Sequence, residues 1–221
     1  MAETNINPLV QVLKQLEDFV LAENGLAGAG YVRFEHKGSE GLGFPYIRSS
    51  HERFCQVLVR SLDFITRVND CPRFLEVGCG LGTKCEIARL HGFDATGIDI
   101  DSRYVNLARR LFSSNSFLEA NALEFDYSKQ DLIYYHTPLA SDVLMAELEQ
   151  RILGTMSCGS LLCVTRFTEN LLRNLSNTDE LTNRWRHSLV LVKLDDEGRL
   201  DGLQKMADIP DLDLLIGSMP G

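Results

Sequence analysis

The sequence predicts an α/β fold: a doubly wound, mostly parallel sheet of about seven strands with helices on both faces. Three observations predict it. From Arg73 to Thr165, short apolar runs of strand length alternate with amphipathic helical stretches, the pattern of parallel strands joined by helical crossovers. A glycine-rich turn, Gly78-Cys79-Gly80-Leu81-Gly82, follows the first of those runs and opens a helical stretch. Near the end, Asp195-Asp196-Glu197-Gly198 separates two apolar runs. That turn is too short for a crossover, so the sheet should close with an antiparallel addition.

The elements follow in chain order. Asn7 can cap a first helix with Pro8 at its opening position, and Leu9, Val12, Leu13, Leu16, Phe19 and Val20 form one apolar stripe. Asn24 to Gly43 is rich in glycine and interleaved with Tyr31, Phe34 and His36, and Phe44 and Tyr46 flank Pro45 just beyond. Glycine permits hinges and aromatic rings pack on ligands, so this segment is either a lid or a connecting loop stapled to the core. Ser49 and Glu52 have capping-box spacing for a second helix with Phe54, Val57, Leu58, Leu62 and Ile65 on its apolar face. Strands are expected at Phe74–Val77, Ala95–Ile98, Ser116–Glu119, Leu132–Tyr135 and Leu161–Thr165. The helices between them cover Lys84–Leu90, the stretch capped by Asp101 or Ser102, and Ser141–Leu153. A short helix near Glu169–Leu175 precedes a strand at Ser188–Leu194 and a return at Leu200–Lys205. These elements divide the chain into an N-terminal helix and glycine-rich lid (1–48), a core domain (49–206) and an acidic, apolar tail (207–221).

Composition narrows the function. The net charge is -9 and the pI about 5.0, whereas a protein gripping nucleic acid by its phosphates carries a basic face. Arg103, Arg109 and Arg110 read as a solvated helix face. The six cysteines include no C-x-x-C pair, and no histidine cluster has zinc-ligand spacing, so no metal is expected. Most cysteines lie in apolar runs, which suits a reducing compartment. Without a secretory signal or a run of membrane-spanning length, a cytoplasmic protein with no membrane partner is expected.

The chemistry concentrates at the glycine turn. Its glycines allow a tight bend and a close approach of ligand to backbone. Asp99 ends the next strand, 21 residues after Gly78, where a carboxylate can accept hydrogen bonds from a ribose hydroxyl pair. Dinucleotide sites want G-x-G-x-x-G, but here Thr83 holds the third glycine's place and Gly82 comes one residue early. Glu76, just before the turn, would repel a pyrophosphate and attract an ammonium group.

With these residues in view, the stretch from Arg73 to Phe167 resembles class I, Rossmann-like S-adenosylmethionine-dependent methyltransferases. The resemblance implies S-adenosyl-L-methionine as cofactor. Glu76, Gly78, Cys79, Gly80 and Gly82 would hold its methionine part, Asp99 its ribose, and Ile100 would pack on its adenine. Asn121-Ala122 would contact the adenine amino group, with Asn where Asp is commoner. Cys79 reads as a small filler of the turn rather than a nucleophile.

In doubly wound sheets ligands lie beyond the carboxyl ends of the strands, which puts Tyr134-Tyr135-His136-Thr137-Pro138 at the methyl-transfer junction. His136 is the candidate base, since imidazole titrates near neutrality, and Tyr135 would line the methyl site. Tyr46, His36 and Pro138 are the candidate substrate residues. The lone Pro138 lacks the N/D-P-P-Y/F pattern of amino-methylating nucleic-acid and glutamine methyltransferases. The expected acceptor is an N or O nucleophile on a small molecule, with a protein lysine as the alternative. A non-catalytic cofactor-binding partner subunit is the reading from another class. The tail, with Leu212, Leu214, Leu215 and Ile216, and the N-terminal helix are where a second chain would dock.

Overall fold

The computed structural model describes residues 8–27, 32–36, 39–43, 46–62, 64–65, 71–165, 171, 187–193 and 203–210. Pro8–Glu23 forms helix α1, and Val32–His36 (β1) pairs antiparallel with Ser39–Gly43 (β2). His51–Leu62 is α2, Arg73–Val77 β3, Thr83–Leu90 α3, Asp94–Asp99 β4 and Ser102–Leu111 α4. Ser116–Glu119 (β5), Leu132–His136 (β6), Asp142–Thr155 (α5), Leu161–Thr165 (β7), His187–Lys193 (β8) and Leu203–Pro210 (β9) complete the order. Seven strands make one sheet in the order β5-β4-β3-β6-β7-β8-β9. The first five are parallel, and β8 and β9 are each antiparallel to the strand before.

Strand alternation sorts the core onto two faces. Phe74, Leu132, Tyr134, Cys163 and Val190 pack with Phe54, Val57 and Leu58 of α2, Ile87 and Ala88 of α3, and Val105 and Ala108 of α4. Leu75, Val77, Ile133, Tyr135, Leu162 and Val164 pack with Met145, Leu148, Ile152 and Leu153 of α5. The central strands β3, β6 and β7 are buried on both faces, so they read as near-continuous apolar runs. Among the described residues no helix is long and apolar enough to cross a membrane.

Four local expectations are corrected. The buried face of α1 is Val10, Leu13, Glu17, Val20 and Leu21, while Val12 and Phe19 are 58% and 64% exposed. A glutamate takes a core position there because it is paired, as described below. The cap of α2 is Ser50 rather than Ser49: its Oγ accepts from the Arg53 amide at 3.1 Å and donates to Glu52 Oε2 at 2.9 Å. Part of the glycine-rich segment is the β1–β2 hairpin, which its Val-Arg-Phe-Glu-His alternation favours. Finally, β9 runs to Pro210, so residues 207–210 belong to the sheet and not to the tail. The expected Asn7 cap and most of the helix at 169–175 lie outside the described residues.

Candidate active site

Parallel strands end their hydrogen-bond ladders at one edge, and the loops there hold the polar groups. The turn after β3 is built by three glycines with positive φ: Gly78 at 73°, Gly80 at 51° and Gly82 at 75°. The amides of Gly78 and Cys79 both donate to the carbonyl of Ile98 at 2.9 Å, which ties the turn to β4. At Gly80 a side chain would meet the Tyr46 ring, so glycine is required both by backbone conformation and by space.

A cavity opens along this edge. It is lined by Glu76, Gly78, Cys79, Gly80, Asp99, Ile100, Asn121, Ala122, His136, Pro138 and Tyr46, all named from the sequence. Two expected residues lie elsewhere. Gly82 caps α3 and faces Phe117 and Ala108, so its lack of a side chain serves helix packing. Tyr135 is fully buried on the α5 face, where its hydroxyl donates to Glu149 Oε1 at 2.9 Å. Adjacent strand residues point to opposite faces, so Tyr135 turns away from the cavity that His136 lines. His36 ends β1 opposite Ser39, and its side chain lies outside the described residues.

Asp99 is the hub of the turn. Its Oδ2 accepts from the Gly80 amide and its Oδ1 from the Asp101 amide, both at 2.9 Å. Burial raises its pKa against those bonds. Asn121 uses its oxygen locally, accepting from the Leu123 amide at 3.1 Å, while its Nδ2 donates to Glu124 Oε1 at 3.1 Å. The buried Tyr127 hydroxyl donates to the Ala122 carbonyl at 2.8 Å and fixes this bend from below. Cys79 packs against Gly97, and burial lifts its thiol well above the usual range, as befits a filler.

Glu76 shares the Phe74 face of β3 and is 5% exposed. Burial lifts its pKa to about 8 against the charge of Lys84 and a 3.5 Å hydrogen bond from Cys85, and the carboxylates of Glu17 and Asp99 add to the rise. Lys84, in the first turn of α3, is buried against the same cavity. Sequence reasoning missed it, because a lysine at a helix start reads as solvated.

Glu17 of α1 was missed as well. Wholly buried, it accepts from Thr83 Oγ1, and pairs with His51 Nε2 at 3.1 Å and Arg48 Nε at 2.8 Å. This network clamps α1, the 46–50 segment and α2 onto the start of α3. Tyr46 is thereby held over Gly80 and stacks on Tyr104 of α4, with centroids 5.5 Å apart. Like Lys84, Tyr104 lines the cavity without having been announced by the sequence.

At the far side, His136 Nδ1 lies 2.8 Å from Thr165 Oγ1, which is 3.1 Å from the Tyr134 hydroxyl. Tyr134 in turn sits 3.5 Å from Ser49 Oγ. Thr137, next in the chain, has φ 42°, a left-handed conformation that costs a β-branched residue energy and re-aims the chain toward Pro138.

Across the edge the groups follow sheet order: Asn121 after β5, Asp99 at β4, Glu76 and the glycines at β3, His136 at β6. Hydroxyl acceptors, a glycine cradle and a buried acid thus stand in a row that fits a nucleoside bearing an ammonium group.

No curated protein sequence matches the chain. Among solved structures, YjhP from E. coli is similar at 22% identity and TM-score 0.42, over 57% of this chain and 56% of that one. YcgJ from Bacillus subtilis is similar at 13% identity and TM-score 0.43, over 52% and 50%. A geranyl diphosphate C-methyltransferase from Streptomyces coelicolor, solved with S-adenosyl-L-homocysteine, is similar at 13% identity and TM-score 0.41, over 52% and 46%. The chain spans about half the length of these structures. A family model described as a methyltransferase domain matches residues 69–206, more than half of the chain and the whole sheet edge described above. The chain therefore belongs to this family and carries a class I, S-adenosylmethionine-dependent methyltransferase domain.

Proposed function

We propose that the protein transfers a methyl group from S-adenosylmethionine to a nitrogen or oxygen nucleophile on a small molecule. One observation supports this above the rest: one cavity holds Glu76, the glycine cradle and Asp99 together with His136, in the order of the sheet edge. When bound, the cofactor supplies an electrophilic methyl whose bond electrons stay on sulfur as the new bond forms. Glu76 would face the ammonium end, Asp99 would offer its remaining lone pairs to the ribose hydroxyls, and Ile100 and Ala122 would supply apolar surface for the adenine. His136, oriented by Thr165, takes the proton of a nucleophile that arrives protonated. The clamped 46–50 segment covers this end of the cavity, which supports an acceptor small enough to be enclosed over a side chain presented on a protein surface.

Calorimetric titration tests the reading. S-adenosylmethionine should bind wild type with micromolar affinity and NAD should not. Asp99→Ala should bind about tenfold more weakly, the low end for a hydrogen bond to a charged group, since Asp99 already serves two backbone amides. NAD binding in place of S-adenosylmethionine would reject the assignment. Failure of wild type to bind either would favour a non-catalytic partner subunit. A screen of small-molecule and protein fractions with labelled cofactor then identifies the acceptor. With it in hand, His136→Ala should erase the acidic limb of the pH–rate profile. Unchanged turnover at every pH removes the base role.

A further inference from the structure

Two side chains of opposite charge type line the cavity without pairing. Glu76 stands on β3 and Lys84 in the first turn of the eight-residue α3, and both reach the cavity together with Gly78. The charge of Lys84 bears on Glu76 and on Glu17. Among the described residues, however, no hydrogen bond or ion pair reaches its Nζ. Glu17 is engaged instead by Thr83, His51 and Arg48, and Glu76 accepts from Cys85. Lys84 is 5% exposed, yet its Nζ is not sealed in the core and opens on the cavity. It is the one lysine or arginine among the described residues that line it. We infer that the Lys84 ammonium receives the α-carboxylate of the cofactor's methionine part, beside the Glu76 that meets its ammonium.

A buried ammonium with no acceptor is costly to fold around. A ligand that brings a carboxylate removes that cost and gains a charge-assisted hydrogen bond. An α-amino acid carries its ammonium and carboxylate on one carbon, so its receptor needs an anion and a cation on one stretch of wall. Glu76 and Lys84 supply them, and because they do not pair with each other both stay available to the ligand's opposite charges. The backbone of α3 works in the same direction. Its N-cap, Gly82, makes no side-chain cap bond, so the positive end of the helix dipole adds to the Lys84 charge uncompensated by a capping oxygen. The cofactor is thereby held at both extremities: its nucleoside at Asp99 and Asn121, its amino-acid end at Glu76 and Lys84. The inference rests on S-adenosylmethionine as the cofactor and adds the residue that reads its carboxylate.

S-adenosylmethionine and decarboxylated S-adenosylmethionine are titrated calorimetrically into the full chain at pH 7. The two ligands share the amine, sulfonium, ribose and adenine and differ in the α-carboxylate. Wild type should bind the intact cofactor about 10- to 100-fold more tightly, the worth of a hydrogen bond between charged groups. Lys84→Met should erase or invert that preference. Losing the Lys84 charge also disfavours the Glu76 carboxylate, but this weakens the hold on the ammonium of both ligands and cancels in their ratio. Equal binding of the two ligands by wild type overturns the inference without needing any variant to fold, and leaves the cofactor reading intact. A Lys84→Met protein that keeps the wild-type preference overturns it as well. Failure of wild type to bind either ligand refutes the cofactor reading itself, and the inference falls with it.

Discussion

Glu17→Ala should lose about 3–5 kcal/mol of folding stability, the usual cost of removing one member of a buried ion network. The substitution leaves His51 and the Arg48 guanidinium beside an empty place in the core and removes the acceptor of the Thr83 hydroxyl. Urea unfolding at neutral pH measures it, as a lower midpoint at unchanged slope. The pH dependence gives a second check. Burial alone would raise the Glu17 pKa, but the His51 hydrogen bond, the charges of Lys84 and His51 and the Thr83 hydroxyl outweigh it and hold it at about 2. The folded value lies below the unfolded value of about 4.5, so the contribution is present above 4.5 and lost as pH falls toward 2. The gap between wild type and variant should therefore narrow over that window. A gap that is small at pH 7, or that does not narrow in acid, means that the clamp does not depend on this charge. A larger cofactor dissociation constant in a still-folded variant is also expected, because the clamp places Tyr46 over the glycine turn.

The fold and half of the site were legible for one reason: both rest on local rules. Short apolar runs and glycines in a turn are written in adjacent residues, so β3, the turn and Asp99 could be placed from spacing alone. The acceptor end was less legible. Tyr135 and His136 are neighbours in sequence but face opposite sides of the sheet, and only the burial of β6 on both faces decides which one meets the cavity. Glu17 and Lys84 were missed because a charge in a helical pattern reads as solvent-facing unless its partners are known. The partners of Glu17, namely Arg48, His51 and Thr83, come 31 to 66 residues further along. Long-range pairing of that kind leaves no periodic trace.

Cofactor affinity should rise steeply with pH, roughly 50-fold between pH 5.5 and 7.5. The cause is Glu76. Its pKa of about 8 means that it is mostly protonated in the free protein at neutrality, whereas an ammonium group beside it is best met by the carboxylate. Binding must then expel the proton, and each pH unit below 8 costs close to tenfold. The rise levels off near pH 8, where Glu76 is half ionised and the cofactor's own amine, with an ordinary pKa of about 8, begins to lose its proton. Lys84 and Cys85 of α3, Glu17 of α1 and Asp99 of β4 are the charged and titratable groups that set the Glu76 value. Calorimetry in buffers of different ionisation enthalpy should count about 0.8 proton released per cofactor at pH 7. Glu76→Gln should bind weakly and without this slope. The same variant should be more stable than wild type at pH 8: the folded pKa lies above the unfolded one, so wild type loses stability as pH rises from about 4.5 to 8. A flat affinity profile in wild type would show that Glu76 does not meet the ammonium. A steep profile together with a stabilised Glu76→Gln would show that the buried acid is kept against folding stability for the sake of the ligand's charge.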